Sequence, residues 1–349
     1  MKLIFSDRQA AHRPRQFMLN GRMVDPFESP ARAAALIEGL STLGLKRDEP
    51  TDYGHKAIMK VHAYHYVTFL QDAYVRFAEL PDHGPEVLPN VHPYRGAGAD
   101  LAGRGRPRPA GIVGRIGWYI GDLSCAIMEH TYDAAYWSAQ TAIAGAEAIR
   151  AGERAAFALC RPPGHHAYTD RASGFCYLNN AAIAAEVLRA RFAKVAIVDF
   201  DTYHGDGTQA IFYARNDVLY GSVHTDPSNY YPHYAGYADE TGTGTGEGHN
   251  LNLPLAPGSG DEAFVEANRA LAEAVTRFGT EALVISAGWD AHRDDPLSRL
   301  AVTTEAYARL GQIYGKLKLP TLIVQEGGYS LEAVAEAAPT FVRAFRGAH

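Results

Sequence analysis

The sequence predicts an α/β fold, a single domain built on a doubly wound, mainly parallel sheet flanked by helices. Short apolar runs recur at Leu3 to Phe5, Ala155 to Leu159, Val195 to Phe200, Val218 to Val223, Leu283 to Ala287 and Leu322 to Val324. Runs of this length without polar alternation suit strands buried on both faces. Helix-period segments lie between them: residues 132–150 follow Thr131 as an N-cap, 181–192 follow Asn180, and 262–278 place Phe264, Leu271, Val275 and Phe278 on one stripe before Gly279. Such alternation winds a parallel sheet. No linker rich in Pro, Ser or charge divides the chain, so residues 1–349 read as one domain.

One segment breaks the rhythm. From about 81 to 115 the chain is rich in Gly, Pro and Arg (HPYRGAGADLAGRGRPRPAG) and shows no helix or strand period. A long insertion of this kind serves as a lid, as an oligomer contact or as a plain surface excursion.

Composition narrows the function classes. Apolar residues make up 47% of the chain, enough for a large core, and the net charge of −6 gives no overall attraction to nucleic acid or to an anionic membrane. The three cysteines, Cys125, Cys160 and Cys176, cannot all pair and have no zinc-ribbon spacing, which fits a reducing compartment. The opening MKLIFSD lacks the apolar stretch of a secretory signal, and no later run is long enough to span a bilayer. A cytoplasmic location is expected.

In doubly wound sheets the ligand site forms beyond the carboxyl ends of the strands, and polar clusters follow the apolar runs here. CRPPGHHA presents the adjacent His165 and His166. DFDTYHGDG presents Asp199, Asp201 and Asp206, three acids within eight positions with His204 but no Lys or Arg among them. Such acids are expensive to bury unless they meet a cation or hydrogen-bond donors. SAGWDAHRDDP adds Asp290, and VQEGGY uses Gly327 and Gly328 to deliver Tyr329. Together they supply the acids, histidines and phenol of a metal-assisted hydrolase.

Taken in this order, RPPGHH, GFCYLNNAAIA, DFDTYHGDGTQ, GWDAHRDDP and EGGY resemble the histone deacetylase-like branch of the arginase and deacetylase superfamily. FCYLNNAAI, GYADETG and DDPLS are most similar to bacterial acetylpolyamine amidohydrolases. The resemblance implies a zinc-dependent amidohydrolase that removes an acyl group from an acylated polyamine or a related aminoalkyl compound. It implies one Zn²⁺ held by Asp201, Asp290 and a histidine two positions after Asp201. It further implies His166 as general base and acid, His165 as its electrostatic partner, and Asp206 and Asp199 as the carboxylates that orient them. Tyr329 would stabilise the oxyanion. Phe175 and Tyr231 would wall the substrate channel, with Gly174 letting substrate approach the backbone. A structural K⁺ near Asp199, Tyr203 and Ser222 and a homodimer are implied in the same way.

The chain departs from the family pattern at one metal ligand. Where that pattern reads DxDxHHG, this sequence reads DFDTYHG, which puts Tyr203 in the place of the ligating histidine. Zinc favours imidazole, whereas a phenol must lose a proton before it coordinates well. Three readings stay open: Tyr203 ligates as phenolate, His204 turns in to replace it, or the site has lost metal and catalysis and the chain binds acylated amines without cleaving them. A binuclear manganese ureohydrolase is disfavoured because TYHGD lacks that branch's additional ligands; the AHRDD at 291–295 is read as coincidence.

The substrate reading rests on charge. At the positions expected to be acidic in a polyamine enzyme stand Val113 and Ser124, with Asp122 and Glu129 nearby. Arg95, Arg104, Arg106, Arg108 and Arg115 crowd the same loop, a basic field that predicts an acylated amine other than a free polyamine, such as one carrying an acid.

Overall fold

The computed structural model describes residues 1–93, 106–107 and 110–349. Its strands are β1 (Lys2–Ile4), β2 (Phe17–Leu19), β3 (Arg22–Val24), β4 (Arg47–Asp48), β5 (Ala155–Ala158), β6 (Val195–Asp199), β7 (Val218–Thr225), β8 (Asn250–Leu255), β9 (Ala282–Ala287) and β10 (Thr321–Gln325). Its helices are α1 (Pro30–Ser41), α2 (Ile58–Val61), α3 (Tyr64–Ala78), α4 (Ile112–Tyr119), α5 (Thr131–Arg150), α6 (Asn180–Leu188), α7 (Asp206–Phe212), α8 (Asp261–Phe278), α9 (Thr304–Gly315) and α10 (Leu331–Ala348).

Eight strands form one sheet in the order β4-β1-β5-β10-β9-β6-β7-β8, every neighbouring pair parallel. The period of two along each strand divides the core between the two faces. Val195 and Ile197 of β6, with Val284 of β9, pack under α5 and α6. Ala196, Val198 and Ile285 face the other way, toward Phe264, Leu271 and Val275 of α8 and Phe341 of α10. The topology matters for function because β5, β10, β9 and β6 are consecutive in the sheet. The clusters at His165, Tyr329, Asp290 and Asp201 therefore emerge side by side.

Elements differ from expectation where local sequence misleads. Edge strands β4 and β8 were not predicted: β4 is two exposed residues, and β8 carries Pro254 and is only partly buried. Helix α6 is capped by Asn179, whose side chain accepts from the Ala182 N–H at 2.9 Å, and ends at Leu188 rather than 192. Thr131 lies inside α5; its Oγ1 accepts from the Met128 N–H at 2.8 Å instead of capping the helix. Gly279 ends α8 in the left-handed conformation (φ 74°) as anticipated. The segment read as structureless contains the start of α4, with Ile112 and Ile116 buried, and Val87 bridges to Ile127. Residues 94–105 and 108–109 of that segment, including Arg95, Arg104 and Arg108, lie outside the described residues.

His62 ties α2 to the segment that carries the site. Its Nδ1 donates to the Tyr168 carbonyl at 3.0 Å, and its Nε2 accepts from the Asn179 N–H at 2.8 Å. That pairing requires the neutral ring, and burial pushes its pKa down to about 4. Between the ordinary histidine value and about 4 the unfolded chain binds a proton that the folded chain refuses, so this stability is lost as pH falls through that window. Replacing His62→Gln keeps a donor and an acceptor. Urea unfolding measured from pH 7 to pH 4.5 should then lose up to about 1.4 kcal/mol per pH unit of the dependence.

Candidate active site

The chain leaving β5 turns irregularly through residues 160–168, and Glu326 at the end of β10 clamps this turn. Glu326 Oε2 accepts from the N–H groups of Gly164 at 2.7 Å and His165 at 3.1 Å, and Ser286 Oγ donates to its other oxygen at 2.9 Å. Burial pushes the Glu326 carboxyl up to about 7. So held, the two imidazoles lie with ring centres 4.0 Å apart. His165 Nδ1 pairs with Asp199 Oδ2 at 3.1 Å, and His166 Nδ1 pairs with Asp206 Oδ1 at 2.7 Å. Tyr168 donates to the second oxygen of Asp206 at 2.8 Å. Burial opposes protonation of His165, but Asp201 and Asp199 outweigh it and raise its pKa well above the usual value.

Asp201 and Asp290 converge below these dyads. Asp201 accepts from the N–H groups of Gly327 at 2.8 Å and Tyr203 at 2.9 Å, and Asp290 Oδ1 accepts from the Thr202 N–H at 3.0 Å. A β-carbon at Gly327 would lie 2.0 Å from Asp290 Oδ2 and 2.5 Å from Asp201 Oδ2, so both oxygens crowd one glycine. Burial pushes the Asp290 carboxyl well above the carboxylate range, and the Asp201 charge adds to it. Asp290 Oδ2 is buried with no hydrogen-bond partner. An unpartnered carboxylate oxygen beside a second buried carboxylate fits a divalent cation.

The position of the expected nitrogen ligand is held by Tyr203. The Tyr203 ring stacks on Tyr230 at 4.4 Å and 6°, and its hydroxyl donates to the Leu297 carbonyl at 3.3 Å. His204 does not take its place: it turns to Asn252 Oδ1, 3.2 Å from Nε2, with its ring 4.7 Å from His224. Burial pushes its pKa well below the usual value. This arrangement does not favour the reading in which His204 replaces the ligand. Among the described residues, ligand-type atoms of His165, Cys176 and Glu326 also lie within 4.8 Å of one another. Each of those side chains already hydrogen-bonds protein, Cys176 to the Gly174 carbonyl at 3.3 Å.

Above the dyads opens a cavity of about 570 Å³ whose lining includes His166, Gly174, Phe175, Tyr203, Tyr231 and Tyr329. Asp201 and Asp290 are fully buried beneath that lining. Gly174 has φ 53°, and a β-carbon there would lie 2.3 Å from the His166 ring. Asp122 sets this wall. Its Oδ2 accepts from the Gly174 N–H at 2.9 Å and the Tyr231 hydroxyl at 2.7 Å, and its Oδ1 accepts from the Ser124 N–H at 2.9 Å. The β2–β3 hairpin supplies Phe17, which meets Phe175 at 5.0 Å. Arg299 is exposed at the rim. Of the loop arginines thought to surround the mouth, neither Arg106 nor Arg115 lines the cavity; the Arg115 guanidinium lies over the Phe69 ring. Val113 sits on α4, and Glu129 is exposed beside His130, 4.0 Å away.

Three supporting residues escaped the sequence reading. Asp295 Oδ2 accepts from the N–H groups of Tyr329 at 2.6 Å and Ser330 at 2.9 Å. The Arg32 guanidinium donates to the carbonyls of Gly328 at 2.5 Å and Glu326 at 2.6 Å, and lies 4.6 Å from the Tyr329 ring centre. Burial pushes the Tyr329 phenol well up, and Arg32 pulls it back. Glu28 joins Arg32 at 3.1 Å to Arg161 at 2.8 Å, all three buried. Only Asp295 had a visible cue, its place in the DDP string.

Fold and site together define a hydrolase of buried carboxylates and histidine–aspartate dyads on a parallel sheet. The model of the histone deacetylase domain matches residues 26–345, and the chain belongs to the histone deacetylase family. That family is zinc-dependent. The chain is 47% identical over 346 residues to an acetylpolyamine amidohydrolase of Burkholderia pseudomallei, covering 99% of this chain and 98% of that one. It is 39% identical to acetylpolyamine amidohydrolase 1 of Pseudomonas aeruginosa, covering 100% and 99%. A crystal structure of acetylpolyamine aminohydrolase from Burkholderia pseudomallei superposes with a TM-score of 0.94 at 47% identity, covering 99% of this chain and 98% of that one. Full-length relatives named as hydrolases do not favour a protein that only binds acylated amines.

The arginine pair behind the site gives a stability test. Arg32→Met should cost about 3–5 kcal/mol in urea unfolding, because it leaves Glu28 and two carbonyls short of donors in the interior. A cost below about 1 kcal/mol would show that the network is not holding the Tyr329 loop.

Proposed function

We propose that this chain is a metal-dependent amidohydrolase that removes the acyl group of an acylated polyamine or a related small aminoalkyl compound, releasing the carboxylate and the free amine. The observation that carries the reading is the pair of dyads, His165–Asp199 and His166–Asp206, beside the converging carboxylates of Asp201 and Asp290, which lie buried behind the lining of an aromatic-walled cavity. Asp201 and Asp290 would hold the metal. When bound, a divalent cation supplies Lewis-acid polarisation of the acyl carbonyl and of a water.

The chain's own residues account for the proton traffic. With Nδ1 engaged by Asp206, His166 has Nε2 left to take a proton from the attacking water and then deliver it to the departing amine nitrogen. Asp206 holds the tautomer that makes this possible and favours the imidazolium once formed. His165 with Asp199 supplies a second polarised imidazole beside it. As the carbonyl carbon becomes tetrahedral its oxygen gains charge, and the Tyr329 hydroxyl, under Arg32, is the donor for it. Phe175 and Tyr231 would grip the alkyl chain, while the Asp122 charge in the wall favours a cationic remainder over an acidic one.

The rest of the reading rests on the family likeness. The protein is read as a homodimer, to be checked by sedimentation, with a structural K⁺ at the turns around Asp199, Tyr203 and Ser222. No described helix is long and apolar enough to cross a membrane, and the three buried free cysteines suit the cytoplasm.

Two measurements test the reading. Acetate release from acetylputrescine should exceed that from N-acetylbutylamine by about 10-fold or more in kcat/KM, with Asp122→Asn narrowing the gap. Equal rates would count against recognition of the cationic remainder. Asp206→Asn should lower kcat by about 100-fold or more with little change in KM, since it disturbs the proton carrier and not the channel.

A further inference from the structure

The part of the site with no counterpart in the family pattern is Tyr203, and its surroundings fix what it does. The ring lies parallel to Tyr230 at 4.4 Å, and both hydroxyls donate to the same Leu297 carbonyl, Tyr203 at 3.3 Å and Tyr230 at 2.5 Å. Its backbone N–H donates to Asp201, and its side chain is part of the cavity lining. The two carboxylates lie buried beneath that lining, and the unpartnered Asp290 Oδ2 crowds Asp201 Oδ2 over Gly327. His204, the neighbouring imidazole, is turned away to Asn252.

We propose that the cation site of this chain is an all-oxygen site with two protein ligands, Asp201 and Asp290, in which Tyr203 is a wall and not a ligand. It therefore discriminates only weakly between zinc and a harder divalent cation such as Mn²⁺. This rests on the reading of Asp201 and Asp290 as the metal carboxylates. The chemistry follows from the donor set. Imidazole is the ligand that gives a site of two carboxylates and one histidine its advantage for zinc, whereas carboxylate, carbonyl and water oxygens suit manganese and magnesium. With the imidazole replaced by a phenol hydrogen-bonded elsewhere, that advantage is removed and the attraction of two carboxylates for any small divalent cation is left.

The test reads metal binding rather than turnover, so its failure is separate from a failure of the hydrolase reading, which acetate release decides. Metal-free full-length protein is titrated with Zn²⁺ and with Mn²⁺ by calorimetry, with metal content checked by elemental analysis and folding by circular dichroism. The native chain should bind about one cation, with zinc and manganese affinities within about 10-fold of each other. Tyr203→His should tighten zinc by about 100-fold or more and change manganese by less than about 10-fold. Tyr203→Phe keeps the stack and removes the hydroxyl, and should leave both affinities unchanged. Asp290→Asn should abolish both. A loss of about 10-fold or more in Tyr203→Phe would overturn the proposal by making the phenol a ligand. Zinc binding as tight in the native chain as in Tyr203→His, or no cation bound by the native chain at all, would overturn it as well.

Discussion

Four carboxylates, Asp199, Asp201, Asp290 and Glu326, are buried where four neighbouring parallel strands end, and most of the surrounding structure answers the cost of keeping them there. The answer is mainly backbone. The N–H groups of Gly164, His165, Asp201, Thr202, Tyr203 and Gly327 all point at these acids. This explains why the segments beyond the strands are irregular: a regular helix or strand would satisfy its own N–H groups and leave the acids desolvated. Imidazole serves the same end at Asp199. Of these acids' oxygens, Asp290 Oδ2 is left without a protein donor, and it is where the proposed cation would complete the arrangement.

A second shell of positive charge lies behind the first. Arg32 and Arg161 share Glu28, and both reach backbone carbonyls, Arg32 those of Glu326 and Gly328, Arg161 those of Gln9 and His12. These bonds stitch α1 and the N-terminal segment to the two loops that carry His165 and Tyr329. The guanidinium over the Tyr329 ring thus connects fold stability with the donor expected at the oxyanion.

How much of this was legible in the sequence depended on how local the cue was. The residues of the dyads could be located because each histidine and each aspartate follows an apolar run within a few residues and the parallel sheet brings the strand ends together, whereas their pairing came only from the family resemblance. Asp201 and Asp290 were readable for the same reason. Arg32 was not: in sequence it is one charged residue of an amphipathic helix, and its partner Gly328 is 296 positions away. Asp122 was legible only as an acid near the mouth, and the hairpin at Phe17 was not legible at all, because a cavity wall is set by tertiary neighbours and has no period of its own. The edge strands escaped because a half-exposed strand lacks the apolar run that marks a buried one. Arg106 and Arg115 misled in the opposite direction: neither lines the cavity, since counting charges along a segment says nothing of where side chains lie.

Tyr203 combines both lessons. The sequence identifies the altered position, but it cannot choose among a phenolate ligand, a substituting His204 and a lost site, because these differ only in orientation. Orientation here is decided by Leu297, whose carbonyl receives both Tyr203 and Tyr230. Leu297 belongs to the same short segment as Asp295, whose side chain fixes the backbone of Tyr329 and accepts the Leu297 N–H at 3.0 Å. The wall at Tyr203 and the donor at Tyr329 are therefore anchored on one turn. A change that loosened the tyrosine stack would be felt at the hydroxyl meant for the oxyanion as well as at the carboxylates, which couples the substituted position to both halves of the proposed chemistry.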